Sequence, residues 1–327
     1  MLRIAVVAAL LVSGAALAQT KTSIALLPLT SSAPVFVGVD RGHFKAEGLE
    51  VELKFMQSAA AVPTAIASGD ADFGVTGLTG GFYNLAGKGA VRIVASQARE
   101  ETGFRFNAFI VSNKAYAEGL TRVDQFKGRS IGLTTIGSTF HYVFGRLAEK
   151  QGWQLEQGQL RALQTVPAML AAVKGGQVDV IQAPPPTGIA IDKAGEGKLI
   201  GWVADHVPWQ LGALFTAPKT IAERRPLVER FVRAYQKAAA EYDANFQKGA
   251  PGKDADALLE IIAKHTKSIP EAVKAGLPYI DPMARLRVQD IYDQIAWNKA
   301  NKLVDAAVDA KTVVDLSFVA GHLDLPR

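Results

Sequence analysis

Val62-Pro63-Thr64-Ala65-Ile66-Ala67-Ser68-Gly69-Asp70-Ala71-Asp72-Phe73 decides how this chain is read. Proline is tolerated in a first helical turn, whose N–H groups lack partners anyway, and Gly69 ends the helix. Residues 71–75 then read as a strand with an aspartate near its start. The unit recurs further along. Val166-Pro167 opens a helix that stops at Gly175-Gly176, and Val178-Asp179-Val180 repeats the strand with its early aspartate. Helix–glycine–strand joints are common in α/β proteins, so the weight of this echo lies in what surrounds it.

Working outward from the first unit, short apolar runs alternate with amphipathic stretches. Strands are predicted over 23–29, 50–55, 71–75 and 92–96, and helices over 34–41, 62–67 and 82–86. This β-α order implies a largely parallel sheet with helices on its faces. Around the second unit the pattern restarts, with strands over 130–134, 178–182 and 199–203 and helices over 139–150 and 166–173. Phe140, Val143, Phe144 and Leu147 fall at i, i+3, i+4, i+7 spacing, which marks a core-facing helix. From Thr220 onward the composition turns to helix formers, with helices predicted over 227–246, 254–264, 285–298 and 312–319. Residues 249–254 read as a turn.

The chain has 327 residues, a length that suits two domains. Hydrophobic residues are 49% and charged residues 20%, a balance that excludes intrinsic disorder. The formal charge of +5 is spread thinly, without a basic run, so nucleic acid is not an expected partner. There is no cysteine, which excludes disulfides, thiolate metal sites and cysteine nucleophiles. Arg3, an apolar run from Ile4 to Val12 and the small-residue box Ala16-Leu17-Ala18 read in order as an export signal over residues 1–18. Cleavage after Ala18 and a periplasmic location are the expectation, and no later segment reads as long enough to span a membrane.

Recognisable catalytic chemistry is missing. His43, His141, His206, His265 and His322 are scattered, without the i, i+4 pairing of a zinc helix. There is no G-x-S-x-G elbow, and Gly87-Lys88-Gly89 reads as a turn rather than a phosphate loop. No catalytic residue, metal site or cofactor is expected.

What chemistry there is lies where strands end and helices begin, the place where open α/β sheets collect ligands. Free N–H groups at helix N-termini favour anions there. Four joints carry hydroxyls, glycines or an amide: Thr30-Ser31-Ser32-Ala33-Pro34, Thr76-Gly77-Leu78-Thr79-Gly80-Gly81, Thr134-Thr135-Ile136-Gly137-Ser138-Thr139, and Gln182-Ala183-Pro184-Pro185-Pro186. Each also reads as a plain helix cap, because Ser and Thr are preferred caps. Two joints in each half favour a shared cleft. The candidate ligand-binding residues are Ser31, Ser32, Leu78, Thr79, Asn107, Gly137, Ser138, Thr139, His141, Gln182 and Trp209. His141, near a helix N-terminus, is expected to be neutral, either facing the cleft or solvated on the surface. Trp209 suits stacking on a ligand as well as core or hinge packing. Arg99 and Arg105 sit near the crossing between halves, where an arginine suits a carboxylate.

The stretch Val39-Asp40-Arg41-Gly42-His43-Phe44-Lys45-Ala46-Glu47-Gly48-Leu49-Glu50-Val51 resembles a K/R-G-x-F-x-x-E-G-L-x-V signature. Its owner is the periplasmic solute-binding family of ABC importers for nitrate, sulfonates, taurine and related compounds, which includes binders of thiamine-pyrimidine precursors. Further resemblances run in order through Gly69-Asp70-Ala71-Asp72-Phe73-Gly74, Val123 to Gly132, Gly137-Ser138-Thr139, Gly176-Gln177-Val178-Asp179-Val180 and Pro226 to Tyr235. Together they span nearly all of the chain after residue 18.

The resemblance implies a two-lobed type II periplasmic binding protein fold of the α/β class, each lobe a mixed sheet flanked by helices, with the ligand cleft between lobes. The expected division is 19–112 for the first part of lobe one, 113–212 for lobe two and 213–327 for the completion of lobe one. Crossings are placed near 107–113 and 211–217. The implied function is capture of a small organic anion, a sulfonate or an aliphatic or aromatic carboxylate, by hinge closure, followed by docking of the monomer on an inner-membrane ABC permease. Alternatives are a binding protein feeding a sensor kinase, and a binder of a neutral pyrimidine-type ligand. Two departures matter. Gln182-Ala183-Pro184-Pro185-Pro186 replaces an aromatic-acidic segment of many relatives and points to a different ligand. Fungal thiamine-pyrimidine synthases share the scaffold but carry an essential cysteine motif, which this chain lacks.

Overall fold

In the computed structural model, which describes residues 19–184 and 187–325, the two helix–glycine–strand units occupy equivalent places in two separate sheets. The export signal expected over 1–18 and the last two prolines of the Gln182–Pro186 joint lie outside the described residues.

The strands are β1 (Thr20–Leu26), β2 (Leu49–Phe55), β3 (Phe73–Gly77), β4 (Arg92–Ser96), β5 (Ala98–Glu100), β6 (Ala108–Val111), β7 (Ser130–Leu133), β8 (Gln159–Ala162), β9 (Val180–Ala183), β10 (Lys198–Trp202), β11 (Trp209–Gln210), β12 (Gly212–Thr216) and β13 (Tyr279–Ile280). The first sheet runs β2-β1-β3-β12-β4, with β1 parallel to β2 and β3, and β12 antiparallel to both of its neighbours. The second runs β8-β7-β9-β6-β10, with β7 parallel to β8 and β9, and β6 antiparallel to both of its neighbours. The topology is the same, with the antiparallel strand fourth in each order; β12 returns to the first sheet after the chain has built the second, whereas β6 is the strand by which the chain enters the second. Helices pack on both, so the fold is mixed α/β in two lobes.

The early aspartates of the repeated unit have a definite structural role. Asp72 Oδ2 accepts the Ser23 N–H at 3.0 Å, and Ser23 Oγ accepts the Asp72 N–H at 3.3 Å. In the second lobe Asp179 Oδ2 accepts the Ser130 N–H and Ser130 Oγ accepts the Asp179 N–H, both at 2.8 Å. The sequence separation is 49 in both lobes. Each clasp ties the start of the third strand to the first and fixes their register, Ile24 opposite Phe73 and Ile131 opposite Val180.

Helix Arg225–Phe246 covers the first sheet. Its buried face carries Val228, Phe231, Val232 and Tyr235, and Phe231 stacks on Phe73 of β3 at 3.9 Å between ring centroids. In the second lobe the stripe of helix Thr139–Lys150 is core, with Phe144 against Phe109 and Phe126. Burying each such side chain contributes about 1.5–3 kcal/mol.

Several boundaries differ from the pattern reading, for local reasons. The first strand ends at Leu26, because Pro28 has no N–H to give a ladder. The third begins at Phe73, because the Ala71 N–H closes the preceding turn on the Ala65 carbonyl. The helix expected over 312–319 is corrected: helix Ala310–Val313 is short, and Val314 then bridges Ile93 in parallel, with the Asp315 N–H on the Ile93 carbonyl. The segments 107–113 and 211–217 contain β6 and β12. The chain passes between sheets just before each, and there a small third sheet, β11-β5-β13, stands between the lobes.

Candidate functional site

The carboxyl ends of the parallel strands in the two lobes face each other across a partly open cavity. Its empty volume is ≈ 560 Å³, part of it continuous with bulk solvent. Lobe one contributes Leu27, Leu29, Ser31 and Ser32 after β1, Ala59 after β2, Val75, Thr76 and Gly77 of β3, and Gln97 after β4. Lobe two contributes Thr134 after β7, Thr139 and Phe140 at a helix start, Val166 at another, and Pro184 after β9. Phe106, Asn107 and Leu211 come from the segments leading into the antiparallel strands β6 and β12. Among these described residues none is charged.

The lobes touch at this level. The Gly80 N–H donates to the Gly137 carbonyl at 2.8 Å, and Gly137 holds φ +79, a left-handed conformation suited to glycine. A Cβ on Gly77 would lie 2.7 Å from the Thr139 methyl, so only glycine lets that helix start approach β3. Further out, the Trp297 indole fills the space a side chain on Gly145 would need, and its Nε1 donates to Glu149 at 2.8 Å.

Of the candidate residues, Ser31, Ser32, Asn107 and Thr139 line the cavity together. Ser32 Oγ donates to the Leu27 carbonyl at 3.0 Å, which shapes the loop after β1. Ser138 and Thr79 are buried helix caps: their hydroxyls accept the N–H groups of His141 and Phe82 at 3.3 and 3.0 Å. Leu78 is packed in the lobe-one core. Gln182 is buried in β9, its Nε2 donating to the Phe140 carbonyl at 3.0 Å. None of these four lines the cavity, and neither do Gly137, His141 or Trp209. His141 is neither a cleft residue nor a solvated one. It is buried edge-on to Trp297, with Nδ1 accepting the Gly137 N–H at 3.1 Å, and burial lowers its pKa to about 4. Trp209 packs on Tyr142 at 4.9 Å between lobes. Arg99 lies over the Tyr279 ring at 4.4 Å, and Arg105 is 5.8 Å from the Trp202 ring, so neither reaches the cavity.

Gln97 escaped the candidate list although it follows a strand, the position the strand-end rule would have flagged. It is 2% exposed and its Oε1 has no hydrogen-bond partner. Thr76 and Thr134 were named only as members of joints. Next to Asn107 lies Glu100, 1% exposed. Its Oε1 accepts the Asn107 N–H at 3.3 Å and the Asn107 Nδ2 at 2.6 Å, while Oε2 has no partner. Burial raises its carboxyl to about 8 against the opposing Asn107 hydrogen bonds, and the nearby Asp205 charge adds a little. At neutral pH the protonated carboxyl is therefore the main form.

Thr139 and Phe140 are the first two residues of a 12-residue helix, whose opening N–H groups have no intrahelical acceptor. Together with the hydroxyls of Ser31, Thr76, Thr134 and Thr139, they make a donor-rich wall in a cavity whose other lining is mostly apolar, apart from Ser32, Gln97 and Asn107. Such a wall suits a small solute with a polar or anionic head and an apolar body. It holds no nucleophile–base pair, and among the described residues no group of three or more His, Cys, Asp or Glu side chains could hold a metal ion.

The family described as NMT1/THI5-like matches this chain over residues 29–247. No curated protein sequence matches it. Among solved structures, the alkanesulfonate-binding protein SsuA from Xanthomonas axonopodis pv. citri, bound to MOPS, superposes with a TM-score of 0.73 at 18% identity, covering 91% of this chain and 99% of that one. The ligand-binding component of an ABC-type import system from Staphylococcus aureus gives 0.72 at 16% identity, over 92% and 98%. The periplasmic nitrate-binding protein NrtA from Synechocystis PCC 6803 gives 0.71 at 13% identity, over 90% and 85%. At these identities the likeness establishes the periplasmic binding protein fold.

Proposed function

The chain belongs to the NMT1/THI5-like family, and from that premise we propose that it is the exported solute-binding component of an ABC importer. It captures a small organic anion, a sulfonate or an aliphatic or aromatic carboxylate, by closing two lobes about the β5/β11 connection. It then presents the solute to an inner-membrane permease. Its role is binding, without turnover. The observation that carries this reading is the cavity where the strand ends of both lobes meet. Similar structures named for sulfonate and nitrate binding support it.

In this reading Ser31, Ser32, Asn107 and Thr139 touch the solute, joined by Thr76, Gln97 and Thr134. Gly137, Ser138, His141, Thr79, Leu78, Gln182 and Trp209 hold the walls in place. Backbone N–H groups and hydroxyls offset the charge of an anion in a space without a cationic side chain. That same lack of a cation favours a second reading, a neutral solute of pyrimidine type.

A thermal-shift screen of protein unfolded, stripped of bound solute and refolded tests both. A solute at 100 times its dissociation constant adds about 2.7 kcal/mol of stability. A shift with sulfonates or carboxylates supports the anion reading, and one confined to uncharged pyrimidines replaces it with the second. A properly folded protein that answers to no small molecule refutes a solute receptor for these classes.

A further inference from the structure

Asn107 differs from the other polar residues of the cavity in how firmly it is held. Its backbone N–H and its Nδ2 both donate to one oxygen of the buried Glu100, at 3.3 and 2.6 Å. Glu100 Oε1 accepts two N–H groups and is therefore the carbonyl oxygen of the acid, with the proton on the unpartnered Oε2. Turning the amide over would set Oδ1 against that carbonyl oxygen, so Glu100 fixes which pole of Asn107 is free. That pole is Oδ1, on a residue that is 4% exposed and lines the cavity. We propose that Asn107, positioned by Glu100, is the specificity-determining acceptor of the cleft, and that the solute is an organic anion whose body also carries an N–H or O–H donor.

This rests on the reading of the cavity as a solute site and narrows its ligand. The donor-rich start of the helix at Thr139 takes the anionic head. The acceptor at Asn107 then meets a donor elsewhere on the solute. Gln97, 2% exposed, is a second buried amide lining the same cavity, but its Oε1 lies against Gly212, so the presenting role falls to Asn107. Once the lobes close on a solute, an acceptor that meets no donor is penalised, so a solute without the donor is rejected. Shape and charge alone would not discriminate in this way.

The test uses two acids matched in size and charge, the α-carboxylates of pyrrole and furan, which differ in one ring N–H. Their affinities for the refolded protein are measured by calorimetry. The pyrrole acid is expected to bind roughly 10- to 100-fold more tightly. In Asn107→Leu the ratio of the two affinities should fall to near one. In Glu100→Ala, which frees the amide to rotate, the ratio should shrink, and Glu100→Gln should restore it. Equal affinities in the unaltered protein overturn the inference, as does a preference that survives Asn107→Leu. The ligand pair on the unaltered protein decides the matter even where a variant fails to fold. If neither acid binds while alkanesulfonates do, the inference falls and the receptor reading stands. If no anion binds, both fall.

Discussion

Replacing Glu100 with glutamine isolates the energetics of a carboxyl buried between the lobes. Free glutamate titrates near 4.5, and burial raises Glu100 to about 8. Between those values the folded chain holds a proton that the unfolded chain has released. The stabilising contribution is therefore complete below about 4.5 and is lost as pH rises through about 8. At about 1.4 kcal/mol per pH unit, the loss at pH 7.5 is about 4 kcal/mol. Glutamine keeps the shape and an oxygen to accept from Asn107, but it does not titrate. Glu100→Gln should match the parent near pH 5 to within about 1 kcal/mol and exceed it by about 4 kcal/mol at pH 7.5. At the higher pH this is a rise of roughly 5–10 °C in Tm. The assay is thermal or guanidinium denaturation of both proteins across pH 5 to 8.5, read as a difference so that titrations common to both cancel. A stability difference that does not change with pH would refute the reasoning, because it would mean that Glu100 carries the same charge folded and unfolded.

Other outcomes follow from the same geometry. Ser138→Ala removes a cap and should lower stability by about 1 kcal/mol in denaturant unfolding, whereas Thr139→Val, which deletes a hydroxyl lining the cavity, should act mainly on solute affinity by calorimetry. Asp72→Ala should destabilise more than Asp179→Ala, about 2–4 against about 1–3 kcal/mol, because Asp72 also accepts from the Thr22 hydroxyl and the Arg224 guanidinium, each at 2.8 Å. Gly145→Val drives a side chain into the Trp297 indole and should cost about 1–3 kcal/mol or more, seen as a lower guanidinium midpoint.

Two lobes were legible because a repeated unit leaves a repeated pattern. Val62-Pro63 to Asp72 and Val166-Pro167 to Asp179 signalled the same helix, stop and strand, and the structure gives the aspartates one shared task, the clasp to Ser23 and Ser130. Longer helices with a clear stripe, such as Thr139–Lys150 and Arg225–Phe246, were found for the same reason. Strands β5, β11 and β13 were not. Each has three residues or fewer, too short for any period to show, and they exist only because chain segments distant in sequence pair between the lobes. The segment 312–319 looked helical by composition, yet pairing of Val314 with Ile93 overrides that preference.

The joints at strand ends were the right places to look, but the residue within each joint that faces the cavity is chosen by capping geometry. At Ser138-Thr139 and at Thr76 to Thr79, two hydroxyl residues compete for attention in the sequence. The cap residue turns its oxygen back to accept an N–H two or three residues on, as Ser138 and Thr79 do. The neighbour outside that bond is left to face the partner lobe, and Thr139 and Thr76 line the cavity. Composition cannot separate the two, because both positions favour small hydroxyl residues. Asn107 is the same problem without a helix. A lone asparagine carries no directional signal until the oxygen of Glu100, seven residues earlier, takes both of its donors and leaves one pole facing the cleft. A binding site of this kind is specified by pairs of residues, one holding and one presenting, and the sequence displays the members without the pairing.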